Sequence, residues 1–454
     1  MPIESLNPAT EELIKKYEPF SDEEVTKIID NVNSEYFSWK MTSFSERKKL
    51  LGNAANVLRE EKHKYAEILT LEMGKPITEA IAEVEKCAWV CEYYAENSEV
   101  ILKNEIIKTD ASESYIRFDP IGIVLAVMPW NFPYWQVFRF AAPALMAGNA
   151  GLLKHASNVP LSALAIEEVF YKAGFPKNIF RTLLITSNQV DRVIENPFVK
   201  ATTLTGSEYA GSRVAEKSGK LLKKSVMELG GSDPFIILED ADLEEATTVA
   251  VKARILNSGQ SCIAAKRFIV VEKAYPEFEK LFIDKMSRVK LGDPMDKATG
   301  LGPLAREDLL IELHEQVEKS VELGAVLLLG GKRVERKGYY YPATILCNVK
   351  KGMPAYDQEL FGPVASVIKV KNEEEAIKVA NDTPFGLGAS LWTNNLEKAK
   401  DLAKDIDSGS VFINGMVKSD PRLPFGGVKI SGFGRELSHY GIKEFVNIKT
   451  VWVK

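Results

Sequence analysis

Ile121-Gly122-Ile123-Val124-Leu125-Ala126-Val127-Met128 is an unbroken apolar run with no alternation of polar residues, and a helical pattern over 135–147 follows it. A strand apolar on both sides is buried on both faces, which is the condition of a parallel sheet covered by helices. Working outward, the same alternation continues through a strand at Leu152-Leu153-Lys154, a helix over 161–173, a strand over 181–185 and a strand ending at Leu204-Thr205. This pattern predicts an α/β fold with a doubly wound parallel sheet, whose ligands sit beyond the carboxyl ends of the strands.

The second half repeats the theme. Phe235-Ile236-Ile237-Leu238 reads as a strand, 242–256 as a helix, 267–271 as a strand, 306–323 as a long helix, Ala325 to Leu329 as a strand, and 364–370 as another. A second α/β unit starting near Gly230-Gly231 is the economical reading. Upstream, 43–102 reads as helical hairpins, with a run opened at Ser45-Glu46 and broken at Gly74-Lys75-Pro76. Cys87 and Cys91 lie four apart on one of those helices, so both are expected in the core. Segments 103–119 and 440–454 read as extended arms outside both units. An exposed apolar strand such as Phe445 to Val453 invites pairing, which predicts association with another subunit.

A chain of 454 residues exceeds what one core holds and leaves room for a buried site. Net charge is −5, with basic and acidic residues interspersed, so no basic stripe tracks a phosphate backbone and nucleic acid is excluded as a partner. The four cysteines form no disulfide framework, and the four histidines (63, 155, 314, 439) have no metal-ligand spacing; no metal is expected. No apolar run reaches membrane-spanning length and the first residues carry no signal pattern, which predicts a soluble protein of the reducing cytoplasm.

Chemistry is most legible at two places. Cys262 closes Gly259-Gln260-Ser261-Cys262, and Glu228 sits in Met227-Glu228-Leu229-Gly230-Gly231, at the junction between the two units. A thiol and a carboxylate, each flanked by glycines that let backbone approach a ligand, are what covalent acyl chemistry requires. The competing reading is an inert core cysteine. No histidine stands near Cys262 in sequence, yet a cysteine hydrolase or thioesterase working without a cofactor stays open, as does a non-catalytic protein on the same fold.

Five segments, Pro129-Trp130-Asn131-Phe132-Pro133, Leu204-Thr205-Gly206-Ser207, Met227 to Gly231, Gly259 to Cys262, and Glu359-Leu360-Phe361-Gly362-Pro363, stand in the order and spacing of the aldehyde dehydrogenase superfamily. The match continues through Pro424 to Lys429 and Ser431 to Glu436. The sequence therefore resembles that superfamily across nearly its whole length. The resemblance implies a Rossmann-like cofactor domain (1–102 and 120–229), an α/β catalytic domain (230–430) and a small β oligomerisation extension (103–119 and 431–454), assembled as a homodimer or homotetramer.

It also implies roles. Cys262 is the nucleophile, for which a lowered pKa or help from a base is expected, because a free thiol near pKa ~8.5 is little ionised at neutral pH. The Asn131 amide and the Cys262 backbone N–H stabilise the oxyanion. Glu228 activates the water that hydrolyses the thioester, and its presence favours release of free acid over transfer to coenzyme A. Trp130 belongs to the cofactor site, with Gly206 and Ser207 at the pyrophosphate, Lys154 at the adenosine ribose, and Glu359 and Phe361 around the nicotinamide ribose.

The cofactor is NADP or NAD. Ser157 stands where NAD-preferring relatives often carry a glutamate, so space for a 2′-phosphate beside Lys154 predicts that NADP is accepted. Arg139 and Ser419 match the carboxylate contacts of succinate-semialdehyde dehydrogenases, whereas Leu256 falls where some members carry a further arginine. With Trp135 in an aromatic tunnel wall shared with Tyr134 and Phe138, the expected substrate is succinate semialdehyde. The alternative is a broader range of aliphatic or aromatic aldehydes.

Overall fold

The computed structural model describes residues 2–454 and contains two large sheets. The first has six strands in the order Gly432–Phe433, Lys224–Glu228, Val199–Thr205, Ile123–Met128, Ala150–His155, Phe180–Thr182. All neighbours are parallel except Gly432–Phe433, which runs antiparallel to Lys224–Glu228. At the centre, Leu125 pairs with Leu152 on one side and Thr202 on the other, and every residue of Ile123–Met128 except Val127 is buried. Helices Ile77–Ile101, Trp135–Met146 and Pro160–Lys172 cover the sheet. Cys87 and Cys91 face inward, fully buried.

The second sheet has seven strands, with Asp233–Ile237 flanked by Ala265–Val271 and Ala389–Trp392, all three parallel. Strand Val364–Val370 lies between Ala265–Val271 and Thr344–Cys347; the latter and Val411–Ile413, which sequence patterning did not single out, complete the sheet with Val326–Leu329 as its antiparallel edge. A third sheet pairs Val446–Val453 with Glu113–Pro120 along their whole length and adds Glu105–Ile106. Ile448 and Trp452 on its last strand are exposed.

Three boundaries differ from expectation. Gly432–Phe433 closes the first sheet instead of joining the extension, because Gly432 at φ 119° lets its backbone lie against Met227. The helix expected to open at Ser45 opens at Phe44, capped by Ser43, which accepts from the Glu46 N–H while Glu46 accepts in return. The strand expected over 181–185 is only Phe180–Thr182. At the N-terminus, a hairpin of Ile3–Asn7 and Glu12–Tyr17 lies against the loop that follows Ala150–His155, where Glu4 N–H donates to the Ser157 carbonyl at 3.0 Å.

No helix among the described residues is long and apolar enough to cross a membrane.

Candidate active site

The carboxyl ends of the first sheet's strands open into a cavity of about 350 Å³ that the second unit closes. Asn131, Gly206, Ser207 and Gly230 line it from one side, Cys262, Glu359 and Phe361 from the other. The sheet rule thus places the cavity where expected, at strand ends and between two units.

Cys262 reaches this cavity on a strained turn. Asn257, Ser258 and Gly259 all have left-handed backbones, with φ of 55°, 54° and 76°. Such a run persists only where its surroundings over-determine it. Here the Asn257 N–H donates to the Glu79 carboxylate at 2.7 Å, and its side-chain amide donates to the Asn131 and Gln260 carbonyls at 2.7 and 3.1 Å. Ser258 Oγ donates to the Gly302 carbonyl at 3.1 Å, and the buried Arg254 donates to the Gly259 carbonyl at 2.7 Å. A Cβ at Gly259 would strike the Gly362 backbone, so only glycine fits there. Lys266 then ties the far side, donating to the carbonyls of Ser261 and Cys262 at 2.8 Å each. Glu79 went unnoticed in the sequence because it lies 178 positions from the Asn257 it holds, and Arg254 and Lys266, within five positions of the carbonyls they hold, because nothing local separates them from ordinary charged residues.

Burial pushes the Cys262 thiol up to about 12, against the opposing pull of the Lys266 charge. Of the two expected routes to the thiolate, a lowered pKa or help from a base, this direction favours the base, because burial disfavours the sulfur anion.

Asn131 is 3 % exposed, and its amide is fixed at both ends. Gln136 Nε2 donates to its Oδ1 at 3.0 Å, while its Nδ2 donates to the Gln260 carbonyl at 3.1 Å, which turns the donor side toward the cysteine turn. Glu228 ends the strand Lys224–Glu228 and is buried with neither carboxyl oxygen hydrogen-bonded among the described residues. Its carboxyl lies beside Gly426, where an added Cβ would come within 2.7 Å of Oε1. Burial raises its pKa well above the carboxylate range, and the neighbouring Glu436 raises it further, with Arg139 and Arg435 opposing.

Residues 1–451 match the family model described as the aldehyde dehydrogenase family. The chain belongs to the aldehyde dehydrogenase family. It is 52 % identical over 453 residues to a protein of Synechocystis sp. named probable succinate-semialdehyde dehydrogenase (NADP+), with all of both chains covered. It is 49 % identical over 456 residues to succinate-semialdehyde dehydrogenase (NADP+) 1 of Mycobacterium tuberculosis, again end to end. Its fold superposes with a TM-score of 0.98 on succinic semialdehyde dehydrogenase from Streptococcus pyogenes in complex with NADP+, at 40 % identity and 99 % of each chain. The protein is thus an aldehyde-oxidising enzyme of the cysteine-dependent type, on the aldehyde dehydrogenase fold.

In this aldehyde dehydrogenase, Trp130, Gly206, Ser207, Glu359 and Phe361, expected at the cofactor, line the cavity, whereas Lys154 and Ser157 lie outside its lining. Ser207 caps the helix Glu208–Lys220 at the end of the strand Val199–Thr205, so N–H groups face the cavity at a helix N-terminus, a favourable place for a pyrophosphate. Any side chain at Gly230 would run into the carboxylates of Glu208 and Glu359, which keeps backbone at the cavity floor. Lys154, near the end of Ala150–His155, is 6 % exposed, its pKa drawn down to about 8 by burial. It has no ion-pair or hydrogen-bond partner among the described residues, and Ser157 follows three positions on. An unmatched ammonium beside a short hydroxyl fits a nucleotide phosphate. Trp130 and Phe361 meet edge to face at 5.7 Å in the cavity wall. Glu359 is held by Lys266 at 3.1 Å and accepts from the Gly231 N–H at 3.2 Å.

The substrate residues fall out differently. Arg139 is neither a surface residue nor free: it is buried, ion-paired with Glu436, donates to Thr205 Oγ1 at 3.1 Å and stacks on Phe425 at 4.6 Å. The expectation of an open guanidinium facing the substrate is corrected to that extent, since the chain supplies a carboxylate of its own. Tyr134 and Phe138 belong to the core, against Tyr65 and Phe170, and not to a tunnel wall. Trp135 lies under the Lys86 ammonium at 4.1 Å, and Ser419 accepts from Lys86 at 2.8 Å.

Proposed function

We propose that this enzyme oxidises succinate semialdehyde to succinate with NADP+. The observation that carries the reading is the convergence of Cys262, the fixed Asn131 amide and the Gly206–Ser207 helix start on one cavity. The full-length likeness to relatives named for that substrate and cofactor supports the choice of aldehyde and dinucleotide.

Cys262 Sγ gives up its proton to Glu228, which passes it on to solvent, and the sulfur attacks the aldehyde carbon. The resulting oxyanion takes hydrogen bonds from Asn131 Nδ2 and the Cys262 N–H, each donor worth ~3 kcal/mol in the transition state. A nicotinamide held beside Glu359 and Phe361 would supply the acceptor for the hydride that leaves the aldehyde carbon. A thioester remains on Cys262. Glu228 takes a proton from water, whose oxygen attacks the thioester carbon, and the proton passes to the departing sulfur as the free acid leaves. A base with a raised pKa is a strong one once ionised, which suits this step. Lys154 and Ser157 would hold the ribose phosphate, Ser207 the pyrophosphate, and Glu359 and Phe361 the nicotinamide ribose.

The exposed Val446–Val453 strand joins a second copy, giving a homodimer or homotetramer. All four cysteines are free, the state that a reducing cytoplasm maintains. A hydrolase working without a cofactor lacks support, as no histidine lines the cavity among the described residues.

Initial rates on a panel of acidic, aliphatic and aromatic aldehydes with NADP+ and NAD+ test the reading. The highest kcat/KM is expected for succinate semialdehyde with NADP+. Equal values across neutral aldehydes would replace it with the broad-specificity alternative.

A further inference from the structure

The helix Ile77–Ile101 carries two carboxylates one turn apart, and each reaches a different half of the site around Cys262. Glu79 accepts from the Asn257 N–H at 2.7 Å, and the Asn257 amide donates in turn to the Asn131 carbonyl at 2.7 Å. Glu83 accepts from the N–H groups of Tyr134 and Trp135 with one oxygen, Oε1, at 2.9 and 3.0 Å. Its other oxygen is ion-paired with Lys75, and both side chains of that pair are buried. The Lys75 ammonium lies over the Phe132 ring, 3.8 Å from its centre.

We propose that Glu83, held by Lys75, is a positioning residue for the Asn131 amide, and that with Glu79 it makes one turn of the helix Ile77–Ile101 set the spacing of the two oxyanion donors. This rests on the reading of Asn131 and the Cys262 N–H as those donors and deepens it.

The helix Trp135–Met146 has its N-cap at Tyr134, three residues after Asn131, and the Tyr134 side chain makes no capping hydrogen bond. The first N–H groups of a helix have no partner within it, and a negative charge is favoured there. Glu83 provides both acceptor and charge from a neighbouring helix. The chain just after Asn131 is thus held by the Phe132 ring and by two successive N–H groups. Gln136, the next residue, donates to Asn131 Oδ1 at 3.0 Å, so a shift of this helix start carries the amide with it. A buried ion pair adds little net stability over apolar packing of the same shape, whereas its hydrogen bonds fix direction. Direction is what an oxyanion donor requires, since a displacement of about 1 Å costs on the order of 100-fold in rate.

Removing one partner alone would strand a buried charge, so the test compares two double variants, Lys75→Met/Glu83→Gln and Lys75→Met/Glu83→Leu. Neither holds a charge at these positions, and only the first offers an acceptor to the Tyr134 and Trp135 N–H groups. The NADPH burst with succinate semialdehyde and with butanal is read beside alkylation of Cys262 by iodoacetamide, which uses the same sulfur but forms no oxyanion. Relative to the first variant, the second is expected to lose about tenfold in burst rate, with KM and the alkylation rate within about twofold. Glu83→Asp keeps the pair charged but draws the carboxylate back by one carbon. It is expected to lose about tenfold against wild type in the same pattern, and it decides the matter if Lys75→Met/Glu83→Leu does not fold. Equal bursts in the two double variants, a wild-type burst in Glu83→Asp, or alkylation slowed as much as the burst overturns the proposal. Asn131→Ala, measured beside them, separates the two readings. A wild-type burst in Asn131→Ala overturns the donor reading itself, whereas a slowed one with unaffected Glu83 variants overturns only the positioning role.

Discussion

Glu228 and Glu436 are both buried and close enough to act on each other's charge, and the second of these carboxyls is ion-paired to Arg139. Both carboxyls are pushed up by burial, and for Glu228 the charge of Glu436 is the next cause. Two carboxyls with one nearby guanidinium hold a proton more tightly than either would alone, and the pair titrates as a unit. Glu436→Gln removes one negative charge, so Glu228 is expected to ionise at lower pH. The acidic limb of kcat then moves down by about one pH unit when thioester hydrolysis limits the rate. Arg139→Met removes the opposing charge and moves the same limb up. A limb that stays put in both variants would dissociate these groups from the base.

Glu79 anchors the left-handed turn before Cys262 through the Asn257 N–H. Burial raises its pKa to about 7, with the Asn257 bond opposing. An unfolded glutamate ionises near ~4.3, so the fold binds this proton more tightly than the unfolded chain does. Its contribution is fully present below about pH 4 and is lost as pH rises through about 7. Glu79→Gln keeps an acceptor for Asn257 but cannot ionise. Its stability relative to wild type is therefore expected to improve between pH 5 and pH 8, by roughly 2 kcal/mol, in urea midpoints. A gap independent of pH would show that Glu79 is not the group that titrates. Glu79→Ala leaves the Asn257 N–H unpaired and is expected to lower kcat more than it raises KM, because the turn that aims Cys262 loosens.

Much of this was legible in the chain. The run Ile123 to Met128 announced a central parallel strand because both faces needed apolar cover, and the segments around Asn131, Ser207 and Cys262 stood in an order that placed them on one cleft. The short strands Thr344–Cys347 and Val411–Ile413 were illegible, since four and three residues carry too little periodicity to separate from loops. The partners of the site were hidden for a different reason. Glu436 lies nearly three hundred residues from Arg139, and its carboxylate has no local signature; only tertiary packing converts Arg139 from a candidate substrate clamp into half of an internal ion pair.

The Asn131 amide is held between Gln136 and the Gln260 carbonyl, so its orientation is set before substrate arrives. Asn131→Ala is expected to lower kcat by ~100- to 1,000-fold with little change in KM, the mark of a donor that acts in the transition state. Gln136→Ala, which leaves the donor present but free to flip, should cost much less, about tenfold. A larger loss in Gln136→Ala than in Asn131→Ala would reverse the assignment. Stopped-flow measurement of the first NADPH burst reads the effect on hydride transfer directly.

Ser157 and Lys154 make the sharpest prediction about the dinucleotide. Lys154 is an unmatched, buried ammonium, and the Ser157 backbone carbonyl is already fixed by the Glu4 N–H, so the loop does not collapse when its side chain is exchanged. A glutamate at this position puts a negative charge where a 2′-phosphate would sit and gives the ribose hydroxyls an acceptor. Ser157→Glu is thus expected to lower kcat/KM for NADP+ by about 100-fold and to raise it for NAD+, with the change carried by KM for the dinucleotide and not by kcat. Lys154→Met is expected to weaken NADP+ more than NAD+, because the lost ammonium serves the extra phosphate. Should Ser157→Glu retain the wild-type ratio of the two cofactors, the phosphate lies elsewhere and the hydroxyl at 157 has no part in the choice.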